Sequence, residues 1–312
     1  MRWHRRGAGG AAPGRRTYLS ALLAAVVFAS SVGCATFGRR GPNPETVAAC
    51  RELTRQGIAA IETGQCQQAE ELLRRSLETM PNDAESRRYL AEVLWRRGAN
   101  VEAMTEMAEA IRLDPSDAKH EVRAGEMSLT VGAREAALAH AEQAIRLDPK
   151  LSTAWALRGR AFWQLNQPDR ALADLQRSLD YAPASTDVLL DVAVIYRQRS
   201  QPERCLTTLH RLLDTYPHGA EPQIVTVLEG LTLLDLERPQ QAAEILAAAV
   251  QKGPPNVQAC YGLAQAQAAA GRYAEASAAA QQALAIDGSH QPSRQLLGEL
   301  TARMTPLEPL RR

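Results

Sequence analysis

The sequence has few aromatic residues, few cysteines and almost no lysine. Aromatic side chains make up 4% of its 312 residues, and there are five cysteines and three lysines. A β-sheet core favours aromatic and β-branched side chains, whereas the abundant alanine and leucine of this chain favour close packing of helices. Because 45% of the residues are hydrophobic, the chain can bury a long core, yet it is too polar for a protein with several membrane spans.

Acidic residues are missing from the first 34 residues, which carry five arginines. The remaining residues carry 31 basic and 35 acidic side chains, a net charge of −4. This balance lacks the concentrated positive charge by which proteins bind nucleic acid. We therefore expect no nucleic-acid partner.

An apolar run, Leu19 to Val32, separates this basic stretch from Cys34. A basic start, a short apolar run and small residues are typical of a secretory signal peptide, and the run is short for a spanning helix. The string Ser-Val-Gly-Cys that ends at Cys34 resembles the lipobox of bacterial lipoproteins, although leucine is usual where its serine stands. This resemblance implies a signal peptide at residues 1–33 and a lipid on Cys34.

The same resemblance implies that Cys34 anchors the chain to a membrane of the bacterial cell envelope, facing the periplasm. Residues 34–43 would form a short irregular tether. Alanine rather than aspartate after the cysteine favours the outer membrane over the inner membrane. Cleavage after Ser31 or Ala35, or an uncleaved anchor, remain alternatives.

A hexapeptide, Ala-Ile-Arg-Leu-Asp-Pro, occurs at 110–115 and again at 144–149, 34 residues apart. A fixed period of this size indicates one supersecondary unit stacked many times. Extending the period gives a column of helix-ending residues: Pro81, Pro115, Pro149, Pro183, Pro217 and, after three additional residues, Pro254 and Gly288. The column divides the chain into seven repeats, numbered here in order: 50–83, 84–117, 118–151, 152–185, 186–219, 223–256 and 257–290.

Each repeat has the pattern of two helices joined by a turn. The first helix carries a small residue at a fixed position: Gly57, Ala91, Gly125, Gly159, Ala193, Gly230 or Ala264. The turn contains a residue that tolerates irregular backbone: Gly64, Gly98, Gly132, Asn166, Ser200 or Gly271. The second helix carries a small residue as well: Ala69, Ala103, Ala137, Ala171, Cys205, Ala242 or Ala276. In three repeats, a proline at 168, 202 or 239 is suited to the first turn of this helix. Small residues on both helices predict a close approach of their backbones.

This set of columns resembles the tetratricopeptide repeat. The fullest match comprises Trp155, Gly159, Phe162, Ala171, Leu175 and Pro183, with Arg158 where the family favours leucine. The resemblance implies an all-α fold, a right-handed superhelical solenoid of about seven helix-turn-helix units over residues 44–304, with first helices on the concave face. Residues 291–304 repeat the first-helix pattern and are expected to form a C-terminal capping helix. Residues 305–312 would be an irregular tail.

In such a solenoid the binding surface is the concave groove, formed by inward positions of the first helices. In repeats two to five these are Arg88, Tyr89, Glu92, Trp95, Arg96, Lys119, Arg123, Glu126, Arg160, Trp163, Gln164, Asp191 and Arg197. Tryptophans with neighbouring arginines suit an extended peptide that offers acidic or backbone acceptors. The alternative is that Trp95 and Trp163 pack against neighbouring repeats.

Repeat six has an unusually apolar first helix, which follows the three additional residues at 220–222. In strict phase Glu229 would lie inside, and the groove would be faced by Ile224, Val227, Leu228, Leu231 and Leu234. A slip of one residue would instead turn the leucines inward. We favour the slip, because burial of an unpaired Glu229 would be costly.

Catalytic constellations and metal-ligand spacings are not visible, since the six histidines are scattered along the chain. We therefore expect that the chain is not an enzyme and that it has no cofactor and no metal site. Cys50 and Cys66 would lie at opposite ends of antiparallel helices, too far apart to bond, so we also expect no disulfide.

Together these features predict a non-enzymatic scaffold or adaptor of the bacterial cell envelope, which binds an unidentified protein or peptide in its groove. Three alternatives remain. The chain could be a pilotin-like assembly factor for a pilus or secretion machine, a freely secreted or inner-membrane-anchored repeat protein, or the substrate-holding part of an enzyme.

The expected lipid on Cys34 can be tested directly. The mature chain should begin at Cys34 and carry acyl chains, and Cys34→Ser should abolish the acylation and release the protein from membranes. Mass spectrometry of the mature N-terminus measures the first result and membrane fractionation the second. An unmodified terminus beyond Cys34 would contradict the lipoprotein interpretation.

Overall fold

The computed structural model describes residues 43–304 except His218. This part of the chain contains fifteen α-helices and no strand, which confirms the all-α prediction. The first helices of repeats one to seven are α1 (Pro44–Glu62), α3 (Ala84–Arg96), α5 (Ala118–Thr130), α7 (Ser152–Gln164), α9 (Thr186–Gln198), α11 (Gln223–Asp235) and α13 (Val257–Ala269). The second helices are α2 (Cys66–Thr79), α4 (Asn100–Leu113), α6 (Arg134–Leu147), α8 (Pro168–Tyr181), α10 (Pro202–Leu213), α12 (Pro239–Lys252) and α14 (Tyr273–Ile286), and α15 (Gln291–Met304) follows them.

The chain divides into two compact units after Ala48. The part of the first unit that the structure describes is the start of α1. There the backbone N–H of Glu45 donates to Asn43 Oδ1 at 3.3 Å, which caps the helix. The other helices belong to the second unit. Within residues 43–304, no helix combines the length and hydropathy that a membrane crossing requires. The predicted signal peptide, Cys34 and the tail lie outside the described residues.

The turns between paired helices each contain one residue with left-handed backbone. These residues are Gly64, Gly98, Gly132, Asn166, Ser200, Glu237 and Gly271, with φ from 54° at Ser200 to 80° at Gly98. A Cβ strains this conformation, so glycine adopts it most readily and asparagine next. The predicted turn positions are confirmed, and Glu237 supplies the one that the sequence pattern had not identified. Prolines 168, 202 and 239 begin α8, α10 and α12, as predicted.

In repeats one, four and six, the two helices pack so closely that there is no room for a Cβ on the glycine of the first helix. A Cβ added at Gly57 or Gly159 would lie 2.8 Å from Cγ of the leucine sixteen residues later, and at Gly230 the distance would be 2.5 Å. Those leucines, Leu73, Leu175 and Leu246, are completely buried. The predicted close approach of the paired helices is therefore observed, and each leucine fills the space that the glycine leaves.

Repeat six keeps the strict phase, so the favoured slip was wrong. Gly230 faces Leu246 as the equivalent glycines face their leucines. The Glu229 side chain is 13% exposed and lies 3.7 Å from Nε2 of His210, so it is not unpaired. Leu231 is buried because it packs against α13. A Cβ added at Gly262 of α13 would lie 2.8 Å from Cδ2 of Leu231. Val227, Leu228 and Leu231 are thus buried instead of facing the groove, whereas Ile224 is exposed.

The first helices lie along one side of the second unit. Successive first helices contact each other at α5–α7, α9–α11 and α11–α13, and α13 contacts α15 in the same way. From α2 onwards, each second helix packs on the first helix of the next repeat, and α14 packs on α15. The contacts of first helices with first helices of neighbouring repeats indicate that they occupy the inner, concave side of the stacked array.

Arg158 departs from the family pattern, and a second departure on the partner helix compensates for it. Its guanidinium makes two hydrogen bonds to the carboxylate of Asp174, at 2.7 and 2.8 Å. This hydrogen bonding raises the pKa of Arg158 above its ordinary value. The bidentate pair satisfies both charges between α7 and α8.

Polar side chains join repeats one and two. Thr54 Oγ1 lies 2.7 Å from Ser86 Oγ and 2.9 Å from Ser76 Oγ, and the thiol of Cys50 lies 3.0 Å from Ser76 Oγ. All four side chains are buried, and they satisfy one another. The four cysteines of the described residues, Cys50, Cys66, Cys205 and Cys260, are free thiols.

Gly230 and Gly298 make a matched pair for testing the helix packing. They occupy the same position of the first-helix pattern, but a Cβ at Gly298 would meet no atom within 4 Å. Gly230→Ala should lower the free energy of unfolding by roughly 1–3 kcal/mol through overpacking. Gly298→Ala should leave it unchanged or raise it by up to about 1 kcal/mol, because alanine favours helix. Urea unfolding followed by circular dichroism measures both, and equal destabilisation would contradict the packing.

Candidate binding face along the first helices

Every predicted groove residue is accessible to solvent. Arg96, Lys119 and Gln164 are exposed, and the others are half-buried. They lie on α3, α5, α7 and α9, the first helices of repeats two to five. Contacts between neighbouring first helices join several of them, as the following pairs show.

Glu92 is the centre of a charged cluster between α3 and α5. Its carboxylate accepts from Arg96 Nε at 3.1 Å on its own helix and from Arg123 Nε at 2.8 Å on the next first helix. Arg123 also donates to Glu126 at 3.0 Å. The cluster links repeats two and three through side chains that remain partly exposed.

Two further ion pairs continue this arrangement along the array. Arg160 on α7 donates to Asp191 on α9 at 2.6 Å, and Arg197 on α9 donates to Asp235 on α11 at 2.7 Å. Burial raises the pKa of the Asp191 carboxyl above its ordinary value, and the guanidinium of Arg160 opposes this rise. Three of the predicted groove arginines, Arg123, Arg160 and Arg197, are thus paired with carboxylates across repeats.

Asp235 was missed by the sequence reasoning. Its position in repeat six corresponds to that of Arg96 in repeat two, at the end of the first helix. The repeat alignment places Asp235 in this column, so the correspondence is visible in the sequence. Arg88, at the other end of the face, lies over the ring of Tyr89 with 3.8 Å between the guanidinium carbon and the ring centroid.

The two predicted tryptophans both pack against the core. Trp95 contacts two buried clusters, one around Leu90 and one around Met107, and Trp163 contacts the large cluster that includes Leu189. The packing interpretation is therefore correct for part of each ring. Trp163 also lines a cavity of about 420 Å³ together with the charged groups of α5, α7 and α9.

A second cavity of about 410 Å³ lies further along the same face. It is lined by Arg197 and Asp235, by Leu231 and Leu234 of α11, by Gln265, Ala268 and Ala269 of α13, and by Leu296 of α15. The accessible face therefore reaches the last helix of the array, beyond the residues that the sequence identified.

One group of side chains has the composition of a hard-metal site. Asp114, Asp117 and His120 place one ligand atom each within 4.8 Å of one another at the junction of repeats two and three. Both carboxylates already accept local hydrogen bonds, Asp114 from the Ser116 hydroxyl at 2.7 Å and Asp117 from the backbone N–H of Lys119 at 2.8 Å. These bonds shape the turn and cap α5, so both carboxylates have a structural role.

The fold and this face define a helical-repeat solenoid with an accessible concave side. Profiles described as tetratricopeptide repeat match residues 54–118, 129–188 and 156–220, and another with the same description matches residues 233–300. The chain belongs to the tetratricopeptide repeat family, and its fold is the superhelical solenoid of that family.

Solved structures of other proteins share the fold at low identity. A tetratricopeptide repeat protein from Parabacteroides merdae is 16% identical, with 81% of this chain and 99% of that chain covered and a TM-score of 0.59. YrrB, described as having an unusual peptide-binding site, is 19% identical, with coverages of 61% and 96% and a TM-score of 0.52. PilW, described as a type IV pilus biogenesis factor, is 17% identical, with coverages of 67% and 96% and a TM-score of 0.62. No curated protein gives a significant match.

Proposed function

We propose that the chain is a scaffold of the bacterial cell envelope, which binds an extended polypeptide along the concave face of its first helices. Proteins of the tetratricopeptide repeat family are generally protein-interaction scaffolds. The envelope setting rests on the signal-like N-terminus and Cys34, and the binding face rests on the side chains of α3, α5, α7 and α9.

The observation that carries the proposal is the row of arginine–carboxylate pairs between successive first helices. Arg123–Glu92, Arg160–Asp191 and Arg197–Asp235 each cross a repeat boundary. Their side chains are 25–40% exposed, and such pairs contribute only about 0–1 kcal/mol to stability. An extended peptide could therefore accept from the arginines and donate backbone N–H groups to the carboxylates at little cost to the fold.

Trp163 is the proposed anchor of the peptide. Its ring is held by the core on one side, so it would lose little conformational entropy on binding. Its other side lines the 420 Å³ cavity beside Arg160 and Asp191. A partly buried aromatic ring beside partly buried charges is typical of the residues that dominate binding energy.

A role in assembling a pilus or secretion machine is the second candidate. Two observations favour it: the solenoid shared with PilW over most of that protein, and the lipoprotein-like string at Cys34. At 17% identity the likeness concerns the fold, so this role is proposed on the combination of anchor and solenoid.

Site-specific photo-crosslinking tests the binding face. A photoreactive phenylalanine derivative placed at Gln164 or Lys119 should crosslink to a discrete polypeptide in intact cells. The same group at Glu135, exposed on the second helix α6, is the matched control and should give background. Crosslinks from Glu135 with none from Gln164 and Lys119 would contradict the proposal.

Tryptophan substitutions test the anchor with the crosslinked partner. Trp163→Ala should weaken binding roughly tenfold or more, because aromatic anchors contribute about 2 kcal/mol. Trp155→Ala is the matched control, since Trp155 lies on the same helix, donates to the Pro149 carbonyl and stacks on Arg158 instead of lining the cavity. Equal affinity of the two variants, both folded by circular dichroism, would exclude Trp163 as the anchor.

A further inference from the structure

A cavity of about 270 Å³ lies away from the groove, between α4, α5 and α6 at the junction of repeats two and three. Its lining includes three methionines and a histidine: Met104, Met107, Met127 and His140. Met104 and Met107 are one turn apart on α4 and so share a face. Three helices of two repeats therefore place thioether and imidazole groups around one space.

The methionines are concentrated at this junction. The whole chain has six methionines, and half of them line this one cavity. At the position of Met107, most other repeats have leucine or alanine, and at the position of Met127 they have valine, alanine, isoleucine or threonine. The fold therefore does not require methionine at either position. Methionine often fills core gaps, but here a cavity remains among the side chains.

His140 is oriented by a buried carboxylate. Its Nδ1 lies 2.7 Å from Oε2 of Glu121, whose side chain is 11% exposed. A carboxylate oxygen accepts a hydrogen bond from Nδ1–H in the tautomer that leaves the Nε2 lone pair free for a ligand. A carboxylate that holds one imidazole nitrogen while the other faces a ligand is the usual outer shell of a metal-bound histidine.

The backbone is shaped to allow this contact. A Cβ at Gly125 would lie 3.2 Å from Cβ of His140, so α6 passes close to α5 at this point. Glu121 is one turn before Gly125 on α5. The glycine therefore lets the imidazole reach Glu121 and the cavity together.

We infer that this cavity binds one soft monovalent metal ion, Cu(I) or a cation of the same character, through the thioethers of Met104, Met107 and Met127 and Nε2 of His140. Thioether and imidazole ligands favour such ions over hard divalent cations. A metal ion on Nε2 gives the imidazole group a positive charge, as a proton on Nε2 would. The buried carboxylate of Glu121 therefore has a cationic partner when the ion is bound. The sequence scan for histidine and cysteine spacing could not find this site, because its ligands are mostly methionines.

Silver(I) is the probe, since it has the charge and ligand preference of Cu(I) without its redox chemistry. The free thiols also bind Ag(I), so total uptake alone is not decisive. Full-length protein labelled with ¹³C in its methionine methyl groups is therefore titrated beyond the number of thiols. The methyl resonances of Met104, Met107 and Met127 should shift together as one equivalent of ion beyond that bound by the thiols is taken up, while those of Met80 and Met304, outside the cavity lining, stay in place.

Substitutions assign the ligands. Met104→Leu/Met107→Leu/Met127→Leu keeps the side-chain volume and should lose one bound equivalent, whereas Met80→Leu/Met304→Leu should lose none. Glu121→Gln should lower the Ag(I) affinity about tenfold, as loss of an outer-shell carboxylate does, with circular dichroism confirming the fold of each variant.

Three results would overturn the inference. The cavity methyl groups could fail to shift in excess Ag(I), or all the methionine methyl groups could shift in parallel. The cavity methyl groups could also respond to a small apolar probe such as xenon but not to Ag(I), which would make the space an apolar pocket.

Discussion

The close packing of the two helices of a repeat, in which glycines 57, 159 and 230 each face a leucine sixteen residues later, is the interaction on which the solenoid depends. At Gly159 the space for a Cβ is already occupied by Leu175 and by the carbonyl of Ala171. Because the helices of a repeat are this close, each hairpin is a rigid unit that buries its remaining apolar side chains against the next one. The first helices are thereby brought together on one side, where their polar side chains meet across repeat boundaries.

That side has two properties that a binding surface needs. Its backbone is fixed by the packing behind it, and its charged side chains are paired weakly enough to exchange partners. Glu92 between Arg96 and Arg123, and Asp191 beside Arg160, keep the arginines extended along the face. A peptide that replaces one of these contacts gains hydrogen bonds to guanidinium groups that are already oriented, so less entropy is lost on binding.

The sequence predicted what depends on local repetition and missed what depends on partners from other repeats. The positive φ at Asn166 and the helix start at Pro168 follow from residues next to each other in the chain. The pairing of Arg160 with Asp191 joins residues 31 apart, and depends on the relative placement of two repeats. In repeat six the argument from unpaired charge failed because His210, on the preceding repeat, lies beside Glu229. The methionine cavity depends likewise on the relative placement of three helices, α4, α5 and α6.

The central claim is that the first helices form the binding face while the second helices hold it in place. Hydrogen–deuterium exchange of the protein, alone and with its crosslinked partner, tests this most directly. Binding should slow exchange in α3, α5, α7 and α9 and leave the amides of α4, α6, α8 and α10 largely unchanged. Protection concentrated on the second helices, with the first helices unaffected, would contradict the account.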